Sequence, residues 1–376
     1  MESDNIMSVP KLRFKEFIDE WKEYTLQNES DVRDGTHDSP KYIEHGYPLI
    51  TSKNLTDMGT LDFSNVNYLK QEDFDKINER SKVDVGDILF GMIGTIGKPV
   101  RINRDDFAIK NVALIKEKGL IKNDYLIHYL QTSAINKQFA NNQDGGTQKF
   151  IALEKIRKLK IKMPSRKEQK KLILLFDLLD KKIELQAKKI EVLKLFKLCI
   201  LKHIFSSATV KTKLKNVSNI IKGKQINSEE LSKSGAYYML NGGTEPSGYL
   251  EKYNTLENTI TISEGGNSCG YVKYNKYKFW CGGHCYSIKN KLINNHYLYQ
   301  LLKFNEKKIM RLRIGSGLPN IQKKDLENFE LFIHKKNNQY KIANLLMKYD
   351  TKIELEKNKL DKLTSLKTGL MQNMFI

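Results

Sequence analysis

Apolar residues recur at heptad spacing in two long stretches of the chain. In the first they fall at Phe176, Ile183, Ile190 and Ile204, and at Leu179, Leu193 and Ile200 between them. In the second they fall at Leu346, Ile353, Leu360 and Met374, and at Tyr349, Leu363 and Leu370. A 3.5-residue repeat of this kind predicts long helices that bury one seam against a partner helix. Each seam is broken by polar residues at two places, Gln186 and Lys197 in the first and Glu356 and Lys367 in the second. The breaks coincide when the sequence is shifted by 170 positions, and so does a D-x-K-I-E-L core at Asp180–Leu185 and Asp350–Leu355. Polar residues in a seam cost stability but fix register. The two helices are therefore expected to pair as equivalents, antiparallel, through Phe176, Leu179, Ile183, Ile190 and Leu193 against Leu346, Tyr349, Ile353, Leu360 and Leu363.

Each helix follows a block with a different pattern. Residues 1–164 contain short β-type runs at Tyr47–Thr51, Asp87–Phe90, Phe107–Ile109 and Val112–Ile115, and a helical pattern over Asp124–Phe139. Residues 206–333 repeat that outline, with β-type runs at Thr259–Ile262 and Tyr271–Tyr274 and a helical pattern over His296–Met310. The helices occupy 165–205 and 334–376. Ser165-Arg-Lys-Glu168 predicts a capping box at the start of the first, whereas His334–Gln339 offers no such signal. The fold class read from this is α+β: two α/β domains separated by two long antiparallel coiled-coil helices, related by a pseudo-twofold.

Charge adds direction. The 376 residues carry 64 Lys and Arg against 44 Asp and Glu, a net charge of +20. Such an excess favours a polyanionic partner, because basic side chains that neutralise phosphates release condensed counterions. Residues 1–164 are balanced, with 25 basic and 25 acidic side chains, so contact with nucleic acid there requires positive charge gathered on one face. No run of about 18 apolar residues predicts a membrane span, and Met1–Pro10 lacks the pattern of a secretory signal. Four cysteines in a chain of this size fit a reducing cytoplasm better than a disulfide framework.

Catalytic motifs are mostly absent. Gly91-Met-Ile-Gly-Thr-Ile-Gly97-Lys98 has the wrong spacing for a phosphate loop, and Pro99 stands where a metal-binding hydroxyl belongs. Cys269, Cys281, His284 and Cys285 offer zinc-type ligands, but without paired C-x-x-C spacing they read as buried free thiols. What remains is a set of Gly-, Ser-, Thr- and Asn-rich loops in both blocks. Their small hydroxyls, amides and exposed backbone N–H groups suit phosphate oxygens and base edges.

Particular wording carries a family resemblance. Asp34-Gly-Thr-His-Asp-Ser-Pro40, Leu49-Ile-Thr-Ser-Lys-Asn54 and the stretch Gly86–Gly97 stand in the first block. Asn241–Tyr249, Thr259–Gly266 and Phe279–Cys285 stand in the second, and Pro164–Gln169 opens the first helix. With the alternation of block and helix, these make the chain resemble the specificity subunit of a type I restriction–modification enzyme. The resemblance implies two target-recognition domains, each reading half of a bipartite, asymmetric target in double-stranded DNA. The helices are then a spacer and a docking surface for two methyltransferase subunits, and restriction/translocase subunits join the same cytoplasmic complex in bacteria. It implies no catalytic, metal or cofactor residue in this chain; S-adenosylmethionine belongs to the methyltransferase, and ATP and Mg to the nuclease. DNA contacts are carried over by loop. In the first block they fall on Gly35, Thr36, His37, Ser52, Lys53, Asn54, Gly94, Thr95, Lys98, Gly146, Thr147, Gln148 and Lys149. In the second they fall on Asn241, Gly242, Gly243, Ser247, Tyr249, Gly265, Gly266, Asn267, His284, Ser316 and Asn320.

Overall fold

Alternating burial shows why the short apolar runs of the first block become strands. Strand β2 (Ser30–Asp34) buries every second residue, while β5 (Ile88–Gly91) and the first four residues of β8 (Val112–Glu117) are buried on both faces, as central strands are. The computed structural model describes residues 9–56, 59–94, 96–140, 150–315, 317 and 319–376. Its first block contains β1 (Lys22–Thr25), β2, β3 (Tyr47–Ile50), β4 (Asn67–Leu69), β5, β6 (Gly97–Arg101), β7 (Ala108–Ile109), β8 and β9 (Lys160–Met163). Helices α1 (Gln71–Ser81) and α2 (Asn123–Tyr129) lie between them, and α3 (Arg166–Ser206) follows. The second block holds β10 (Val210–Lys213), β11 (Ser218–Lys222), β12 (Tyr237–Leu240), β13 (Gly248–Leu250), β14 (Thr259–Ser263), β15 (Val272–Asn275), β16 (Trp280–Cys281), β17 (Cys285–Asn290) and β18 (Glu330–Ile333). It also holds α4 (Asn295–Phe304), and α5 (Lys336–Met374) ends the chain.

The two blocks share one topology. Each has a four-stranded antiparallel sheet, β2-β8-β5-β6 in the first and β11-β17-β14-β15 in the second. Each has a three-stranded sheet, β4-β3-β7 and β13-β12-β16, in which one pairing is parallel: Ile50 opposite Ile109, and Leu240 opposite Cys281. Each closes on a two-stranded neck, β1-β9 and β10-β18. Beyond the neck one further backbone bond recurs, Leu26 N–H to the Leu159 carbonyl at 2.9 Å and Leu214 N–H to the Phe329 carbonyl at 3.0 Å.

The chain divides into two compact units, and each takes a part of both long helices: Met1–Leu185 with Leu360–Ile376, and Gln186–Lys359. In the first unit Phe176 is fully buried and its ring lies 5.3 Å from that of Phe375. Met371 and Met374 complete this core beside Leu172. In the second unit Leu201, Phe205, Ala343 and Leu346 share a core with α4 and the sheet. Residues 166–185 and 360–376 thus meet antiparallel, as do 186–206 and 336–359. Of the expected seam residues, Phe176, Ile183, Ile190, Leu346 and Ile353 are buried, and Leu179, Leu193, Tyr349, Leu360 and Leu363 are half-buried.

The polar interruptions find partners. In the second unit Gln186 Nε2 donates to Glu356 Oε2 at 2.7 Å, and Lys189 reaches Oε1 at 2.9 Å. Lys197 crosses to Asp350 at 2.5 Å there, and in the first unit Lys367 crosses to Asp180 at 2.6 Å. These two ion pairs are one motif with the helices exchanged, since 180 and 350, and 197 and 367, differ by 170. The bonds from Gln186 and then Lys189 hold the Glu356 carboxyl down at about 2. A depressed carboxyl contributes stability at neutral pH that is lost as pH falls through its folded value. The second unit should therefore lose stability from the ordinary carboxylate range down toward about pH 2, and Glu356→Gln should flatten that part of a urea-unfolding series measured against pH.

Three local expectations are corrected. Ser165 accepts from the Glu168 N–H at 3.5 Å, but Glu168 does not close the capping box. Its carboxylate instead takes Arg13 Nε and Nη2, both at 2.7 Å; a bidentate guanidinium bond outcompetes one backbone amide. The helical runs over Asp124–Phe139 and His296–Met310 are each broken. The first turns at 130–132, where the Thr132 hydroxyl donates to the Tyr129 carbonyl. The second stops at Asn305, whose side-chain amide donates to the Leu301 carbonyl. Each such bond satisfies a helix-end acceptor from the side, so the helix need not continue.

Candidate nucleic-acid interface

In the first unit the polar loops leave the ends of β2 and β3, the β5–β6 turn and the β7–β8 corner. Gly35 follows β2 directly against the Ile109 backbone, where an added Cβ would strike the carbonyl. That closeness lets Thr36 N–H reach the Ile109 carbonyl at 3.0 Å and the Thr36 carbonyl accept from Asn111 N–H at 3.2 Å. Gly223 follows β11 in the same way, against the backbone of Cys281 and Gly282. Gly35→Ala and Gly223→Ala should each destabilise by about 1–3 kcal/mol, read as a lowered urea midpoint; an unchanged midpoint would show that the corner yields freely.

Ser52, Lys53, Asn54 and Gly94 line one open cleft of about 600 Å³ with Lys110 and Asn111. Lys53 is exposed, whereas Ser52 and Asn54 are buried. The Ser52 hydroxyl donates to the Asn111 carbonyl at 3.1 Å. Asn54 turns its amide inward, accepting from Thr51 N–H at 3.0 Å and donating to the Asp62 carbonyl at 3.0 Å. Thr36 and His37 border a second cleft of about 440 Å³ with Lys76 and Arg80. His37 Nε2 lies 2.8 Å from Asp34 Oδ2, and Arg80 pairs with the other Asp34 oxygen. Lys98, at φ +49°, lies apart from this group, in a cleft with Arg101 and His128. Thr95, Gly146, Thr147, Gln148 and Lys149 fall outside the described residues.

The second unit gathers a corresponding set. Asn241 Oδ1 accepts from His284 N–H at 3.0 Å, and the Gly242 carbonyl accepts from the Ser263 hydroxyl. Glu264 N–H donates to the His284 carbonyl at 2.9 Å, Gly266 N–H to the Pro319 carbonyl at 3.0 Å, and Gly265 bridges Asn320. Gly243 and Asn267 are exposed nearby in sequence. Ser247 and Tyr249 belong to the β12–β13 hairpin instead, where Ser247 N–H donates to the Met239 carbonyl at 2.8 Å and Tyr249 sits opposite Tyr238. Ser316 lies outside the described residues. Cys269, Cys281 and Cys285 are buried while the His284 side chain is 63% exposed, so thiols and imidazole do not converge. Among the described residues no group of three His, Cys, Asp or Glu is arranged to hold a metal.

Sequence reading missed Lys110, Asn111 and Arg80 in the first unit and Lys222 and Glu264 in the second. Glu264 is buried and accepts from Lys222 at 2.7 Å and from the Tyr286 hydroxyl at 2.8 Å. Burial first, and then this bond, push the Tyr286 hydroxyl well above its ordinary range. Asn111 had one readable signal: an Asn between two apolar strands suits a left-handed turn, and its φ is +54°.

The family model for the type I restriction modification DNA specificity domain matches the chain twice, over residues 20–195 and 207–365. The chain belongs to this family. Among its relatives, a Mycoplasma genitalium protein that bears the name of a type I specificity subunit is 34% identical over 148 residues, or 38% of each chain. The chain thus aligns with about two fifths of that relative's length. The MjaX specificity subunit of Methanocaldococcus jannaschii is 24% identical over 96% of this chain and 94% of its own. The solved S subunit of a type I restriction–modification system from M. genitalium has this fold, with a TM-score of 0.67 over 98% of this chain and 99% of its own, at 19% identity. A second likeness, at 13% identity and TM-score 0.56 over 93% of this chain and 96% of its own, is to a chain from a study of type I R-M complex assembly.

Proposed function

We propose that this family member is the DNA-reading subunit of a type I restriction–modification complex, each unit reading one half of a bipartite, asymmetric target. The observation that carries this is the twin set of polar loops at equivalent strand ends of two matching folds, one around Asn111 and one around His284. Loops of that kind offer amides, hydroxyls and N–H groups to phosphates and base edges.

The long helices set the number of unread base pairs between the halves and dock two methyltransferase subunits. Support for docking lies in their outward residues. Leu174, Leu178 and Leu185 are more than half exposed in the first unit, as are Val192, Leu195 and Leu198 in the second. Apolar exposure of that extent on a helix marks a protein contact. In this reading the chemistry belongs to the partner subunits, not to this chain. S-adenosylmethionine is bound by the methyltransferase, which flips the target adenine, and ATP and Mg by restriction/translocase subunits. The complex works in the bacterial cytoplasm; among the described residues no helix is long and apolar enough to cross a membrane.

Binding of the chain with its methyltransferase partner to a pool of DNA duplexes tests the proposal. Selected duplexes should bind at least about 10³-fold tighter than random ones, with affinity falling steeply as salt rises. Equal affinity for every sequence would reduce the chain to a scaffold.

A further inference from the structure

The first unit holds a chain of side chains that ends on an amide. Arg80 pairs with Asp34, whose side chain is only 9% exposed. Asp34 Oδ2 lies 2.8 Å from His37 Nε2, and Nδ1 of the same ring lies 2.7 Å from Asn111 Oδ1. With an oxygen beside each nitrogen, the ring donates from both when it is protonated, and that form is the one these partners favour. The bonds to Asp34 and then to Asn111 accordingly raise the His37 pKa. Asp38, Asp73 and Lys76 are the other charged groups around this cleft, and Lys53, Asp62 and Lys110 those around its neighbour.

A cationic ring fixes the direction of the amide it touches. Asn111 turns its oxygen to His37 and leaves the two N–H bonds of Nδ2 as its outward edge. Its backbone is braced as well, by N–H to the Thr36 carbonyl at 3.2 Å and by the Ser52 hydroxyl on its own carbonyl at 3.1 Å. The result is a donor of fixed orientation lining the polar cleft. Among the described residues of the second unit no amide is held in this way; the His284 ring lies 3.7 Å from Glu264 Oε2.

We propose that Asn111 is a base-discriminating residue of the first unit, presenting amide donors to an acceptor edge, with His37 and Asp34 as positioning residues. This rests on the DNA-reading function above. Acceptor edges in the major groove are N7 and O6 of guanine, N7 of adenine and O4 of thymine, and a fixed donor separates them from the donor edges of cytosine N4 and adenine N6.

The test uses the full chain co-expressed with its methyltransferase partner and sequencing of methylated DNA, for wild type, Asn111→Asp and Asn111→Gly. Aspartate keeps an acceptor for His37 but turns an acceptor outward, so preference at one position of one half-site should move by about tenfold or more toward a base that offers a donor. Glycine suits a φ of +54° and removes the amide without straining the turn, so that position alone should lose its preference. The other half-site should be unchanged in both. Asn111→Gly methylating the wild-type motif with every position intact overturns the inference, as does equal loss at both half-sites. A wild type that shows no bipartite motif overturns the DNA-reading function itself, a distinct outcome.

Discussion

Replacing residues 26–159 with residues 214–329 is expected to give a chain that directs methylation to a symmetric target, with the second half-site present twice. The cut points are physical. Both blocks leave their necks through the same backbone bond, Leu26 to Leu159 in one and Leu214 to Phe329 in the other. An exchange there keeps β1, β9, Trp21 and the Arg13–Glu168 pair in place. The incoming block also brings the right contact surface. Tyr297 faces Phe205 with ring centroids 5.6 Å apart, as Tyr125 faces Phe375 at 5.8 Å. Phe205 and Phe375 are again 170 residues apart. Sequencing of methylated DNA reads the outcome; a target that stays asymmetric after the exchange would show that the blocks do not carry specificity.

Phe176→Ala should lower the stability of the first unit by about 3–5 kcal/mol, the usual cost of emptying a fully buried aromatic site. Phe176 lies against Phe375 at 5.3 Å and His128 at 5.5 Å, inside the cluster that joins the start of α3 to the end of α5. The space cannot close easily, because Trp21, Tyr125 and Tyr129 pack on Phe375 from other sides. Urea unfolding followed by circular dichroism gives the difference. A midpoint equal to that of wild type would mean that this seam contributes nothing, contrary to the pairing described above.

The helices were legible because a heptad is a local pattern that burial alone imposes. The matching interruptions at Gln186, Lys197, Glu356 and Lys367 even announced that the helices pair as equivalents. Their ion partners were not legible: Lys367 to Asp180 and Lys197 to Asp350 depend on which faces meet. The three-stranded sheets were hidden for the same reason, since the parallel pairing of Ile50 with Ile109 joins segments far apart in sequence. Glu168 misled because a capping box is a local rule, and Arg13 offered a stronger distant bond. In the candidate interface, composition marked the loops but not which atoms are spent internally. Asn54 looks available in sequence and is consumed by its own turn, while Asn111, between two apolar strands, lines the first cleft.

Two folded units of one chain should each read a half-site. Single-molecule sequencing of methylated adenines, in cells that express this chain with its methyltransferase partner, tests it most directly. Two different short motifs separated by a fixed number of unspecified base pairs are predicted. Methylation at one uninterrupted motif, or with no sequence preference, would contradict it.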